Sequence, residues 1–281
     1  MRRTGWIVGV LACLASTSFA IVPNTGIDND FAFVGRNQFA GASLVAVGRR
    51  TLMTARHVTL NSNVTFSADG SGPLYAVDVN SKQDIGGSDI RMYRTLVDLP
   101  GWYDIDFTPL TTAYTHDANL NLTFIGGNSE ALTAVGYGQT GNVNGAGTGY
   151  DIDPNAPFHR RKGNFFSDSR GMVTLDPTGL NIGPYSSILS FLIANGDGTI
   201  APGDSGGGLF KNVNGVQKLV GINSFTAGTR QFVTGSTLFF ASGFAELAPH
   251  EAAIRAYLVP EPATMAAMAL GLAALARRRR K

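Results

Sequence analysis

One cysteine, Cys13, is all that the chain of 281 residues contains. It lies in an apolar run near the N-terminus, so the rest of the chain has no disulfide framework and must be stabilised by core burial. A surplus of either charge is also missing: Lys+Arg number 22 and Asp+Glu 20. The cations gather at the ends. Without Arg2, Arg3, Arg277–Arg280 and Lys281, Lys+Arg fall from 22 to 15. Without Glu261, Asp+Glu fall from 20 to 19, leaving a body near −4. Such a body gives no reason to expect nucleic acid or an anionic membrane as partner. Long apolar runs are absent too. The longest, from Ala263 to Ala276, spans only about 21 Å as a helix at 1.5 Å per residue.

What is present divides the chain. Arg2 and Arg3 precede an apolar run from Trp6 to Ala15 and a small-residue site ending Ser18-Phe19-Ala20. That order reads as a secretory signal peptide, residues 1–20, cut after Ala20. The body, residues 21–258, reads as all-β. Short apolar and β-branched runs recur between Gly, Asn, Asp and Pro clusters: Ala42–Val47, Val64–Ser67, Tyr75–Val79, Ile90–Tyr93, Leu120–Ile125, Ala131–Tyr137, Ser187–Ile193, Lys218–Ser224 and Gln231–Phe240. Strands at this spacing predict a sandwich or barrels, and the 35 glycines suit turns rather than helices. One short helix is expected at the end, where Leu247, Ala252–Ala253 and Ala256–Leu258 recur at helical spacing behind Pro249. Asn142–Gly149 reads as an exposed loop, and Asn195–Thr199 as a turn, since it lacks the further ligands of a calcium loop.

The segment Ala201-Pro202-Gly203-Asp204-Ser205-Gly206-Gly207-Gly208-Leu209-Phe210 sets a serine among glycines before an apolar run, and Thr54-Ala55-Arg56-His57 closes an earlier strand-like run. Val135-Gly136-Tyr137-Gly138 and Leu219-Val220-Gly221-Ile222-Asn223-Ser224-Phe225 stand between and after them. In these four ordered motifs the chain resembles the trypsin/chymotrypsin family of serine endopeptidases. The resemblance implies two antiparallel β-barrels, residues 21–125 and 126–258, the second carrying the terminal helix, with the site in the cleft between them. It implies Ser205 as nucleophile and His57 as general base, and neither a metal nor a cofactor. A serine hydroxyl needs a base to take its proton during attack, and histidine titrates near the working pH. The amides of Gly203 and Ser205 would receive the developing oxyanion.

The acid that orients the histidine is implied by a strand opening Asp-Ile or Asp-Leu. Both Asp89-Ile90 and Asp104-Ile105 fit, with Asp106 a third candidate behind them. Asp89 is preferred, because it leaves room for a strand and a connection before Gly136. Thr199 corresponds to the floor of the primary pocket and Ser224, Phe225 and Thr226 to its wall, which implies an uncharged residue before the cleaved bond. His116, His159 and His250 read as solvated or locally hydrogen-bonded. A trypsin-type fold kept for adhesion or binding, and an esterase on the same residues, stand as alternatives to a peptidase.

Val259-Pro260-Glu261-Pro262, the apolar run and five basic residues after it resemble the PEP-CTERM sorting signal, residues 259–281. The resemblance implies a transient inner-membrane tether through a short transmembrane segment whose basic end stays cytoplasmic. It also implies an exosortase-type enzyme as partner beside signal peptidase, and release to the cell surface or the extracellular space. Cutting after Ala20 exposes Ile21-Val22, and in relatives of this kind a freed Ile-Val amine pairs with the residue before the nucleophile, here Asp204. Pro23 stands where those relatives carry glycine. N-terminal sequencing of the exported protein should therefore begin at Ile21; any other start overturns the pairing with Asp204.

Overall fold

The computed structural model describes residues 21, 27–38, 41–60, 63–138, 141–143, 150–152, 158–175, 180–192, 198–231 and 238–259. Six strands close the first barrel: β1 Val34–Asn37, β2 Ser43–Gly48, β3 Thr51–Thr54, β4 Asn63–Thr65, β5 Leu74–Asp84 and β6 Arg91–Thr95. They run in the order β1-β2-β3-β6-β5-β4, and β4 returns to β1 through Arg36↔Thr65. The runs Leu44–Val47 and Thr51–Thr54 are buried along their whole length. They do not alternate because one face fills the barrel and the other is covered by neighbouring chain.

The remaining strands are β7 Tyr114–His116, β8 Leu122–Phe124, β9 Ala131–Gly136, β10 Gly141–Val143, β11 Tyr150–Ile152, β12 Arg161–Phe166, β13 Ser169–Leu175, β14 Ile182–Leu192, β15 Gly208–Val213, β16 Val216–Gln231 and β17 Leu238–Glu246. Apart from the ribbon β10–β11, they form a nine-stranded sheet, β12-β9-β15-β16-β17-β14-β13-β7-β8, that curls into a half-barrel. The all-β expectation holds, with three differences. The hairpin β7–β8 precedes residue 126 yet joins the second sheet, so the expected division at 125/126 lies too late. Its β7 pairs with β13 in parallel, Thr115 opposite Arg170, in an otherwise antiparallel sheet. Finally, Asn142–Val143 belongs to the ribbon rather than to a loop, and residues 144–149 lie outside the described residues, as does most of the expected strand Gln231–Phe240.

The expected helix forms as a 3₁₀ turn, Ala248–His250, followed by α1, Glu251–Leu258. Pro249 opens it, and Arg255 Nε donates to Glu251 Oε1 one turn back at 2.7 Å. Its buried side chains, Ile254 and Tyr257, lead the end of the chain back to the first barrel. There the Tyr257 hydroxyl donates to Ser81 O at 2.8 Å, and the Arg94 guanidinium lies 4.5 Å from the ring centroid of Tyr257.

The two sheets share a core cluster, and two smaller clusters lie in the second sheet's half of the fold. Leu44, Leu52, Met92 and Tyr93 of the first barrel belong to the same buried cluster as Val135, Tyr137, Phe210 and Ile222 of the second sheet. Phe210 packs against Phe31 in a tilted pair and against Tyr103 edge-on, at 4.9 and 4.7 Å between centroids. Beside this apolar contact, Arg160, 2% exposed, reaches across the seam. Its Nε donates to Asp28 O at 3.0 Å, and its Nη1 to Val34 O and Phe66 O at 3.2 and 2.9 Å. Asp28 lies beside it, with Lys162 Nζ 3.0 Å from Asp28 Oδ1. Removing one side of such a buried ionic contact strands the other. Arg160→Ala should cost about 3–5 kcal/mol of unfolding free energy in urea. Asp98→Ala, at the exposed pairs with Arg49 and Arg50, should leave the urea midpoint almost unchanged, since solvent screens such pairs. Equal losses would remove the seam from the account of stability.

Candidate active site

Residue His57 follows β3 through a turn in which Val58 N donates to Ala55 O at 3.0 Å. Asp89 precedes β6, at the end of a tight turn from Ile85 to Ile90. That turn is closed by Ile85 N to Ile90 O and Ser88 N to Ile85 O. The side chains of Ile85 and Ile90 are fully buried, and Asp84 bonds Arg91 Nε at 2.5 Å across its base. Because β3 and β6 pair with Thr54 opposite Arg91, the two turns leave the barrel side by side. His57 Nδ1 lies 2.8 Å from Asp89 Oδ2, and the His57 amide donates to Asp89 Oδ1 at 3.1 Å. Asp89 is 0% exposed, and Ser224 Oγ donates to its Oδ2 at 2.5 Å. Asp104 is exposed, and its carbonyl receives Leu219 N; Asp106 accepts from Thr108 N. Of the aspartates weighed in the sequence, Asp89 is the one brought to His57.

Ser205 comes from the second sheet, on the turn before β15. The turn is hooked to the first barrel by Ser43, whose amide donates to Ser205 O at 2.9 Å and whose hydroxyl donates to Gly203 O at 2.8 Å. Contact at this place is close. A Cβ on Gly206 would fall 2.0 Å from Thr54 Oγ1 and 2.3 Å from Ser43 O, and its φ of +86° is itself suited to glycine. The Ser205 turn is thereby seated beside Thr54–Ala55, with only Arg56 between them and His57. The Ser205 side chain is partly exposed and makes no hydrogen bond to any described residue.

The amides of Asp204, Gly206 and Gly207 are committed to Ala201 O, Asn223 O and Asp204 O. Those of Gly203 and Ser205 donate to none of the described residues, and both positions are partly open. The backbone thus holds two free donors on one turn, beside the serine hydroxyl. Asp204 is 1% exposed and accepts from Ala201 N at 2.8 Å and Gly138 N at 2.6 Å. Burial pushes its carboxyl up to about 7, against those two amides and the charge of Arg161. Ile21 is buried in the core of the second sheet, and its backbone nitrogen donates to Thr199 O at 2.5 Å rather than to Asp204.

The expected pocket residues separate. Thr199 is fully buried, with Ser242 Oγ donating to its hydroxyl at 3.2 Å; Ser242 also stands opposite Thr226 in the β16–β17 ladder. Ser224 instead points its hydroxyl at Asp89. Phe225 lies against Gly243 and lines, with Leu120, Val173 and Leu175, a groove of about 380 Å³. Ser43 and Tyr185, which meets Ser224 below, were not visible as site residues in the sequence, since nothing local distinguishes a serine or tyrosine whose partner is more than 30 residues away. Among the described residues no group of three or more His, Cys, Asp or Glu side chains is placed to hold a metal ion.

A family model described as the PEP-CTERM protein-sorting motif matches residues 258–281. No curated protein matches the chain. The motif is one that exosortase-type sorting enzymes recognise, and it marks an exported protein delivered by way of the membrane to the cell surface or extracellular space. No described helix is long and apolar enough to cross a membrane; the expected transmembrane segment of the tail lies outside the described residues.

The other histidines differ from one another. His250 Nε2 is buried without a partner among the described residues, which departs from the solvated or bonded state expected for it. His116 is buried, its Nδ1 and Nε2 each 2.9 Å from a serine hydroxyl, Ser169 and Ser187. Burial pushes it down from 6.5 to about 4. The unfolded chain therefore takes up a proton before the folded one does. The stability this neutral ring contributes is complete above about pH 6.5 and is lost as pH falls toward 4, by roughly 3 kcal/mol. Urea unfolding across that window should show a slope that His116→Gln flattens; an unchanged slope would assign it to other groups.

Proposed function

We propose that the chain is an exported serine endopeptidase of the trypsin/chymotrypsin kind. The observation that carries this reading is the 2.8 Å contact between His57 Nδ1 and the fully buried Asp89 carboxylate, beside a serine turn bonded to the same barrel. Ionised Asp89 only accepts hydrogen bonds, so it holds the proton on Nδ1 and leaves a lone pair on Nε2. Nε2 takes the Ser205 proton as Oγ bonds to the peptide carbonyl carbon. It returns that proton to the amine as the C–N bond breaks. Water, activated at the same nitrogen, then releases the acyl group from Ser205.

The free amides of Gly203 and Ser205 suit the oxyanion of each tetrahedral intermediate. Loss of one such donor in related chemistry costs about 10²–10³ in rate. That Ser205 and His57 are not hydrogen-bonded fits a site that tightens when substrate arrives. The substrate backbone would run along Ser224–Thr226. Thr199, which the resemblance assigns to the pocket floor, is itself uncharged, so an uncharged side chain would precede the cleaved bond. Ile21 reaches the loop that carries Asp204, through Thr199 O, so processing after Ala20 would free an amine near that carboxyl and prepare the turn.

The test is labelling of the full chain by a fluorophosphonate probe. Labelling should vanish in Ser205→Ala, fall by about 10³–10⁴ in Asp89→Asn and persist in Asp104→Asn. Loss in Asp104→Asn with full labelling of Asp89→Asn would reverse the assignment of the acid. A folded, processed protein that takes no label would be a binding module on this fold, and one that cleaves small esters but no protein would be an esterase.

A further inference from the structure

Beneath Asp89 lies a second hydroxyl that the reaction does not touch. Tyr185, on β14, is 1% exposed, and its hydroxyl oxygen is 2.8 Å from Ser224 Oγ. Ser224 is 4% exposed and has one proton, which it gives to Asp89 Oδ2 at 2.5 Å. The direction of the chain is therefore fixed. Tyr185 donates to Ser224, Ser224 donates to Asp89, and Asp89 accepts from His57. Among the described residues no Lys or Arg forms an ion pair with Asp89, so its buried charge rests on hydrogen-bond donors. In a site closed to water, each hydroxyl polarises the next and the bonds strengthen together.

We propose that Tyr185 is a positioning residue of this site: it fixes the Ser224 hydroxyl on Asp89 and so sets how firmly Asp89 holds His57. This rests on the functional reading above. A hydroxyl rotor with a free lone pair and one acceptor can swing; a donor from behind leaves it one orientation. Burial and the neighbouring Asp89 charge hold the phenol protonated, well above its ordinary value, so the donor is present at any working pH. Ser224 is thereby a support for the carboxylate rather than a wall of the pocket, and the support begins on β14, two strands away from β16 in the sheet.

The experiment is a double-mutant cycle on the full chain with Tyr185→Phe, Ser224→Ala and the pair. It is read by the second-order rate of fluorophosphonate labelling and by the downfield proton resonance of His57 Nδ1–H. Tyr185→Phe should slow labelling by about 3- to 10-fold, the range of one net hydrogen bond, and move the resonance. In the Ser224→Ala background the same change should do neither, because the path through Ser224 is already cut. An equal fold-loss in both backgrounds overturns the proposal. So does a lowered melting temperature with an unmoved resonance, which would leave Tyr185 as packing alone. If the wild type takes no label, the functional reading fails, and the resonance still decides whether Tyr185 acts on His57 through Ser224.

Discussion

Backbone carbonyls at the seam between the two sheets have no strand to pair with, and they must still be satisfied once water is excluded. The structure meets that constraint with a few side chains. Arg160 covers Val34 O and Phe66 O, the Tyr137 hydroxyl covers Ser67 O, and the Ser43 hydroxyl covers Gly203 O. Ser43 joins more than one partner as well. Its hydroxyl also accepts from Tyr137 N at 2.8 Å, and its own carbonyl accepts from Thr54 Oγ1 at 2.8 Å. With no cross-link in the body of the chain, the relative placement of the sheets depends on these bonds and on the aromatic contact of Phe31, Tyr103 and Phe210.

The site inherits its geometry from that seam. His57 and Asp89 are set by one ladder, β3 with β6, and would keep their spacing in an isolated barrel as far as that ladder determines it. Ser205 has no such guarantee. Its turn is aligned by Ser43 from one side and by Asn223 from the other, where Gly206 N donates to Asn223 O and Asn223 N to Gly207 O, both at 2.8 Å. The same strand then sends Ser224 to Asp89, so β16 touches both halves of the constellation. Glycine is required at Gly206 because the first barrel approaches closer there than any side chain permits.

Much of this was legible in the sequence where the signal is local. The run Leu44–Val47, the turn Gly203–Gly207 and the helix behind Pro249 each carry their own pattern. Asp89 was favoured over Asp104 by counting residues to Gly136, which amounts to asking whether a strand fits between them. Strands β12 and β13 were not legible. Arg161–Phe166 and Ser169–Leu175 mix Arg, Lys, Gly, Asn and Ser with few apolar residues, because much of each strand is only partly covered. The parallel pairing of β7 with β13 leaves no mark on either segment. Ser43, Arg160 and Tyr185 owe their roles to partners 39 to 160 residues away, and such distance is invisible to periodicity.

Those same separations govern how the chain assembles as it emerges beyond the membrane. In a chain that crosses N-terminus first, the strands of the first barrel arrive while Arg160 and the Ser205 turn are still on the other side. Val34 and Phe66 then stand with their seam carbonyls bare until Arg160 has followed, and the Ser43 hydroxyl waits for Gly203. The pairing of His57 with Asp89 can form early, but the serine turn cannot be gripped by Ser43 until the last third of the body is through. A half-exported molecule is thus an incomplete one, and the joining of its two sheets waits for the end of its own passage.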